Sequence, residues 1–166
     1  VDAPSVDVVI PVFNAPALTQ RCIESVISYL GSSIQAIHIQ DDASGIETAT
    51  MLEHLSSPIL HVVHAPENQG YGASVNEALA RSKADFVLVL NSDTELLENI
   101  LPPLCKALLA DPKLAVISPV HQDYKFRLDR YHRQPGGYVL TYRFQGYGFL
   151  IRRQLFNALG GFDKEF

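Results

Sequence analysis

Short apolar runs alternate with stretches of helical spacing along the first two thirds of the chain. Val6-Asp-Val-Val-Ile-Pro-Val12 is almost continuously apolar, as a strand covered on both faces must be. Leu18, Cys22, Ile23, Val26, Ile27 and Leu30 then recur at helical spacing, and Gly31 marks the stop. Ile34 to Ile39 is a second strand that runs into Asp41-Asp42. Ser44-Gly-Ile-Glu47 has the form of a capping box and predicts a helix over about 46–56. Leu60-His-Val-Val63 is a third strand, and Asn68-Gln-Gly-Tyr-Gly72 feeds an alanine-rich helix over about 73–83. Phe86 to Leu90 has the most buried character of any strand and ends in Asn91-Ser-Asp-Thr-Glu95. Leu97, Ile100, Leu101, Leu104, Cys105 and Leu108 predict another amphipathic helix, closed by Asp111-Pro112, and Leu114 to Ile117 a fifth strand.

Alternation with links this short predicts an α/β domain: a Rossmann-like, mostly parallel sheet with helices on both faces. After Pro119 the rhythm breaks. Residues 121–143 hold Lys125, Arg127, Arg130, Arg133 and Arg143 against Asp123 and Asp129, with Gly136-Gly137 midway, before Phe144 to Ile151 resumes a strand. Such a basic excursion is either a binding loop or a solvated surface loop.

Composition narrows the class. The 166 residues suit one domain, and 47% hydrophobic against 19% charged residues supply a core and exclude disorder. A net charge of −5 argues against a nucleic-acid or general polyanion binder. No run is long enough for a transmembrane segment, and no charged-then-apolar leader opens the chain. It begins at Val1 rather than Met, so its natural ends are unseen. Cys22 and Cys105 read as small hydrophobes on amphipathic helices, although a disulfide stays open. His61 and His64 lie too close together to suggest a zinc set.

Ligands of an open parallel sheet bind at the carboxyl ends of its strands. There the chain places Pro11-Val-Phe-Asn14, Asp41-Asp42-Ala-Ser44 and Asn91-Ser-Asp93, with Asn68, Gly70 and Gly72 after the third strand. Several polar strand ends side by side predict a polar cleft. For Asp42 and Ser44, helix capping competes with ligand contact. Asp93, just past a buried strand and two residues after Asn91, can hold Mg²⁺ or Mn²⁺ with positions left for a diphosphate. It can equally be an acid favoured by the helix dipole. The Gly70-Tyr-Gly72 loop is not a dinucleotide fingerprint: its third glycine falls at Val75, and it follows the third strand rather than the first.

Together these segments resemble the family 2 glycosyltransferases, inverting nucleotide-sugar enzymes of the GT-A fold. Val8-Val-Ile-Pro-Val-Phe-Asn14 is similar to the family's opening strand and turn, and Gln40-Asp-Asp-Ala-Ser-Gly45 to its second-strand acidic segment. Asn68-Gln-Gly-Tyr-Gly-Ala-Ser-Val-Asn76 resembles its loop and helix. Phe86-Val-Leu-Val-Leu-Asn-Ser-Asp-Thr-Glu95 resembles its Asp-x-Asp strand, with Asn for the first acid. Gly146-Tyr-Gly-Phe-Leu-Ile-Arg-Arg153 and Gly160-Gly-Phe-Asp163 resemble the late strand and the acceptor-side turn. The motifs occur in the family's order.

The resemblance implies a nucleotide-sugar-binding part over 1–118 and the start of an acceptor-side part over 119–166. Pro11, Asn14 and Asp41 would line the nucleoside pocket, with Asp41 facing the base. Asn68, Gly70 and Asn76 would border base and ribose, and Asn91 and Ser92 the ribose and diphosphate. Asp93 would hold Mn²⁺ or Mg²⁺ on the diphosphate, offsetting the repulsion between an acidic protein and an anionic donor. Gly161 and Asp163 would belong to the acceptor side, although Asp163 also reads as a turn acid. The family's general base follows that turn, so it is expected after Phe166; Lys164 stands where Glu is common. The expected partners are a nucleoside-diphosphate-sugar donor and a glycan or lipid-linked acceptor. The expected location is cytoplasmic, with the inner face of a membrane as the alternative. The basic stretch from Lys125 to Arg133 would suit an anionic acceptor, with Arg127 and Arg130 the pair that tests it. The competing readings are a sugar nucleotidyltransferase, whose glycine- and arginine-rich first loop is missing here, and a non-catalytic nucleotide- or partner-binding domain.

Overall fold

A computed structural model describes residues 3–120, 130–141 and 145–163; Lys125, Arg127, Arg143, Phe144 and Lys164 fall outside them. The chain order is β1 (Val6–Val12), α1 (Pro16–Leu30), β2 (Ala36–Asp41), α2 (Ile46–His54), β3 (Leu60–His64) and α3 (Tyr71–Arg81). β4 (Phe86–Leu90), α4 (Leu101–Ala110), β5 (Val116–Ile117), β6 (Gly148–Arg152) and α5 (Arg153–Ala158) follow. One sheet holds all six strands in the order β3-β2-β1-β4-β6-β5. β3, β2, β1 and β4 are parallel; β6 runs antiparallel to β4 and to β5.

The period of two along each strand sorts the core into two layers. Val6, Val8, Ile10 and Val12 of β1 and Phe86, Leu88 and Leu90 of β4 join Cys22, Ile23 and Val26 of α1, Leu52 of α2 and Leu104 and Leu108 of α4. Val9, Val87 and Val89 face the other way, onto Val75, Ala78 and Leu79 of α3, with Phe156 of α5 and Phe162 packed beside them. Both faces are therefore covered, as the continuous apolar runs require. Each fully buried Leu or Ile contributes about 1.5–3 kcal/mol of transfer free energy.

A polar layer sits between α3 and the strands beneath it. Asp7 accepts hydrogen bonds from Ser82 Oγ at 2.6 Å and His38 Nε2 at 3.3 Å, while Arg81 donates to Gln40 Oε1 at 2.7 Å and to the Ile39 carbonyl at 3.2 Å. Burial pushes the Asp7 carboxyl up, but the bonds from His38 and Ser82 outweigh it and hold its pKa below the ordinary 3.8.

Several element ends differ from the sequence reading. The helix expected from Leu97 begins at Leu101, with Pro102 and Pro103 in its first turn, where missing N–H groups cost nothing. The last strand starts at Gly148 rather than Phe144, because Gly146 and Tyr147 form the turn before it. The capping box over Ser44 and Glu47 does not form: Gly45 is the N-cap of α2, with no side-chain cap. Ser44 is engaged elsewhere, in the site.

Candidate functional site

The chain builds β1, β2 and β3 toward one edge, then returns to add β4 on the other side of β1. That reversal leaves a crevice beyond the carboxyl ends of β1 and β4, the usual ligand position in an open α/β sheet. Asn14 and Asn91 to Asp93 follow those two strand ends directly.

The turns after β1 and β2 are latched to each other. Asn14 N–H donates to Ser44 Oγ at 2.8 Å, Gly45 N–H donates to Asn14 Oδ1 at 2.8 Å, and Ser44 N–H donates to Asp41 Oδ1 at 3.2 Å. Asn14, Ala15 and Ala43 all take positive φ, of 60°, 54° and 58°. For the two alanines that conformation is strained by about 1–2 kcal/mol each. The latch holds these backbones in place.

Asp41 is 2% exposed, and its second oxygen receives His64 Nδ1 at 2.7 Å. Each oxygen keeps a second lone pair for a further donor. Asp42, 4% exposed, braces the next loop: its two oxygens accept the N–H groups of Gln69 and Gly70, each at 2.8 Å. Asn68 Nδ2 donates to the Asp42 carbonyl at 3.3 Å. Gly70, at φ +88°, is the N-cap of α3. Asp42 does not cap α2, whose N-cap is Gly45. It is a clamp that sets the loop carrying Asn68 and Gly70.

At the end of β4, Asn91 N–H donates to the Tyr147 carbonyl at 2.9 Å, and Thr94 Oγ1 donates to the same oxygen at 3.0 Å. The Asn91 carbonyl accepts Thr94 N–H at 3.0 Å and Cys22 Sγ–H at 3.5 Å. Asn91 Oδ1 is buried without a hydrogen-bond partner, an acceptor left for a cation or a ligand donor. Asp93 is exposed. Burial, reinforced by the charge of Asp93, pushes the Cys22 thiol up to about 12. No group of three His, Cys, Asp or Glu side chains among the described residues could enclose a metal ion. One free carboxylate beside an orphaned amide oxygen does fit a hard cation whose remaining positions come from a diphosphate.

Asn91 also lines a pocket of about 340 Å³ with Tyr71, Gly146, Phe149 and Phe162. Phe162 is the hub of its aromatic wall, with ring centroids 5.3 Å from Phe156, 6.2 Å from Phe149 and 6.3 Å from Tyr71. Burial pushes the Tyr71 hydroxyl up, so it stays neutral. Asn76 bonds the turn after α5: its Nδ2 donates to the Phe162 carbonyl and its Oδ1 accepts Phe162 N–H, both at 2.8 Å. Gly161 lies against Asn76, while Pro11 is buried in β1 beside Gln40. A second cavity, about 480 Å³, opens between α4, β5 and residues 133–141, and none of the predicted site residues lines it.

Direct contacts thus unite Asn14 with the Asp41 turn, Asn68 and Gly70 with Asp42, and Asn76 with Gly161. Ser92 and Asp93 lie past the end of β4, outside these three sets of contacts. The reading of the sequence missed His64 and the Tyr147 carbonyl. The first had a signal, since a His ending a strand beside an Asp ending its neighbour falls in register, whereas a backbone acceptor leaves none.

Polar turns gathered at the switch point of an open sheet, with a carboxylate past its central strand, make this a nucleotide-diphospho-sugar transferase architecture of the GT-A class. The chain belongs to glycosyl transferase family 2, whose sequence profile matches residues 7–163. It is 31% identical over 115 residues to an N-acetylglucosaminyltransferase of Rhizobium sp. (strain N33), covering 67% of this chain and 25% of that protein. It is 27% identical over 104 residues to the GalNAc(5)-diNAcBac-PP-undecaprenol beta-1,3-glucosyltransferase of Campylobacter jejuni, covering 61% and 33%. The fold matches a mannosyltransferase of Pyrobaculum calidifontis, solved with GDP-Man and Mn²⁺, at a TM-score of 0.77 and 20% identity over 99% of this chain and 49% of that one. It matches S. aureus TarS 1-349 at 0.71 and 18%, over 97% and 51%. The chain therefore spans a quarter to a third of these relatives and about half of these structures.

Proposed function

We propose that this chain is the donor-binding part of an inverting glycosyltransferase that moves a sugar from a nucleoside-diphosphate-sugar to an acceptor hydroxyl. The observation that carries this reading is the end of β4: the exposed carboxylate of Asp93 follows the buried, unpartnered Asn91 Oδ1 at the sheet's switch point. The nucleoside lies along Pro11, Asn14 and Asp41 and the loop of Asn68 and Gly70, with Asn91 and Ser92 toward the diphosphate. Asp93 would hold Mn²⁺ or Mg²⁺, which would supply Lewis-acid charge toward the diphosphate. The acceptor oxygen bonds to the anomeric carbon as the bond from that carbon to the diphosphate oxygen breaks. The hydroxyl proton goes to a carboxylate that, by the family resemblance, follows Asp163 in the whole protein. Gly161 and Asp163 border the acceptor, a glycan or lipid-linked glycan; the Campylobacter relative, named for a polyprenyl-diphosphate substrate, supports the second. Such an acceptor puts the protein at the cytoplasmic face of a membrane. No helix among the described residues is long and apolar enough to cross one.

Calorimetry with UDP, GDP, dTDP and CDP, with and without Mn²⁺, tests the reading. One diphosphate binds, and Asp93→Ala weakens it by at least about tenfold, as loss of a charge-assisted ligand requires. Equal affinity in wild type and Asp93→Ala removes the metal role, and no binding of any diphosphate removes the whole reading.

A further inference from the structure

The Asn76 side chain pairs with both backbone groups of one residue 86 positions away, its amide mimicking a neighbouring strand. Gly160 and Gly161 enter that contact at φ +85° and +83°, two left-handed residues in a row. A Cβ on Gly161 would stand 2.6 Å from Asn76 Oδ1. Glycine is therefore required there twice over, by conformation and by the nearness of the amide. Phe162, fixed in this way, places its ring among Tyr71, Phe149 and Phe156 and forms one wall of the pocket that Asn91 lines. Asn76 follows Val75, which is wholly buried in the α3 face of the core, so the clasp is anchored in the domain's rigid part. At the N-terminus of the same helix, Asp42 clamps Gly70.

We infer that Asn76 is a positioning residue for the sugar end of the donor site rather than a lining residue of the nucleoside pocket. It holds Phe162 as the apolar wall against which a pyranose ring packs, next to the free Asn91 oxygen. This rests on the nucleotide-sugar reading above. It ties Asn76 to the turn of Gly160 to Phe162 rather than to the nucleoside. Removing the clasp leaves the nucleoside contacts alone and loosens only the wall.

Calorimetry in Mn²⁺ with a free diphosphate and its sugar conjugate separates the two roles; the probe pairs are UDP with UDP-N-acetylglucosamine and GDP with GDP-mannose. Asn76→Ala and Phe162→Ala are expected to leave diphosphate affinity within about twofold. Both weaken the sugar conjugate roughly three- to tenfold, the net worth of about one hydrogen bond. Asn76→Asp, which still accepts Phe162 N–H, falls between wild type and Asn76→Ala. Hydrogen exchange at the Phe162 amide reports the clasp itself and rises in Asn76→Ala. Equal weakening of diphosphate and conjugate overturns the inference, since Asn76 would then serve the nucleoside. So does faster exchange with neither affinity changed, which would make the clasp purely structural. A wild-type chain that binds none of UDP, GDP, dTDP and CDP overturns the nucleotide-sugar reading itself, and this inference falls with it.

Discussion

Replacing Asp42 by Ala removes both acceptors of the Gln69 and Gly70 N–H groups at once. Each is a charge-assisted bond at 2.8 Å, made by a carboxylate that is 4% exposed. Such a bond is worth about 1.5–3 kcal/mol, but the loop can recover part of that from water, since Gln69 is exposed. The expected loss is about 2–4 kcal/mol, or roughly 4–16 °C in Tm for a domain of this size. Asp42→Asn keeps one acceptor and turns its amide donor toward a second donor, so it loses about 1–3 kcal/mol. Urea unfolding followed by circular dichroism gives the free energy, and diphosphate calorimetry on the same samples gives the consequence for the site. Binding is expected to fall in both variants, because the loop carrying Asn68 and Gly70 loses its brace. An Asp42→Ala chain within about 0.5 kcal/mol of wild type would refute the clamp, since that is the scatter of an ordinary surface substitution.

Both cysteines are free, and burial raises both thiols, Cys22 to about 12. Neither is expected to react with a disulfide reagent at pH 8 in the folded chain, with Cys22 the slower of the two; rapid labelling of Cys22 before unfolding would contradict its place under Asn91. Asp7 has a lowered native pKa, so its stabilising contribution is complete above the ordinary 3.8 and is lost as pH falls through the native value. Acid titration of unfolding should therefore be shallower below pH 4 in Asp7→Asn than in wild type, and identical slopes would exclude Asp7 as an acid-sensitive group.

The parallel part of the fold was legible because its signal is local. Phe86 to Leu90 is fully buried on both sides, and its sequence contains nothing that would suit another setting. The helix after β2 was read correctly in kind and wrongly in its cap. Ser44 and Glu47 satisfy a capping pattern, but Ser44 Oγ is already bound by Asn14 N–H, a contact 30 residues away that no local pattern encodes. The same distance hid the partner of Asn76, which lies 86 residues on, and the reversal of β6, which follows the least patterned stretch of the chain. Local periodicity reports which face of an element is buried. It does not report which backbone group a polar side chain will meet.

The reversed direction of β6 has a consequence for how the domain can vary. Gly148 pairs with Leu90, so β6 starts at the edge where β4 ends, and β5 ends there too. The stretch between β5 and β6 thus leaves and rejoins the sheet at the same edge, beside the crevice. Its base is stapled, with Gln145 N–H donating to Ser118 Oγ at 3.1 Å and Ser118 Oγ facing the Gln145 carbonyl at 3.4 Å. Length and charge can therefore change inside the staple without moving a strand, since each doubling of a loop adds only about 0.6 kcal/mol of closure entropy. β5 and β6 therefore keep their register through their own pairing and this staple, independently of the chain that joins them.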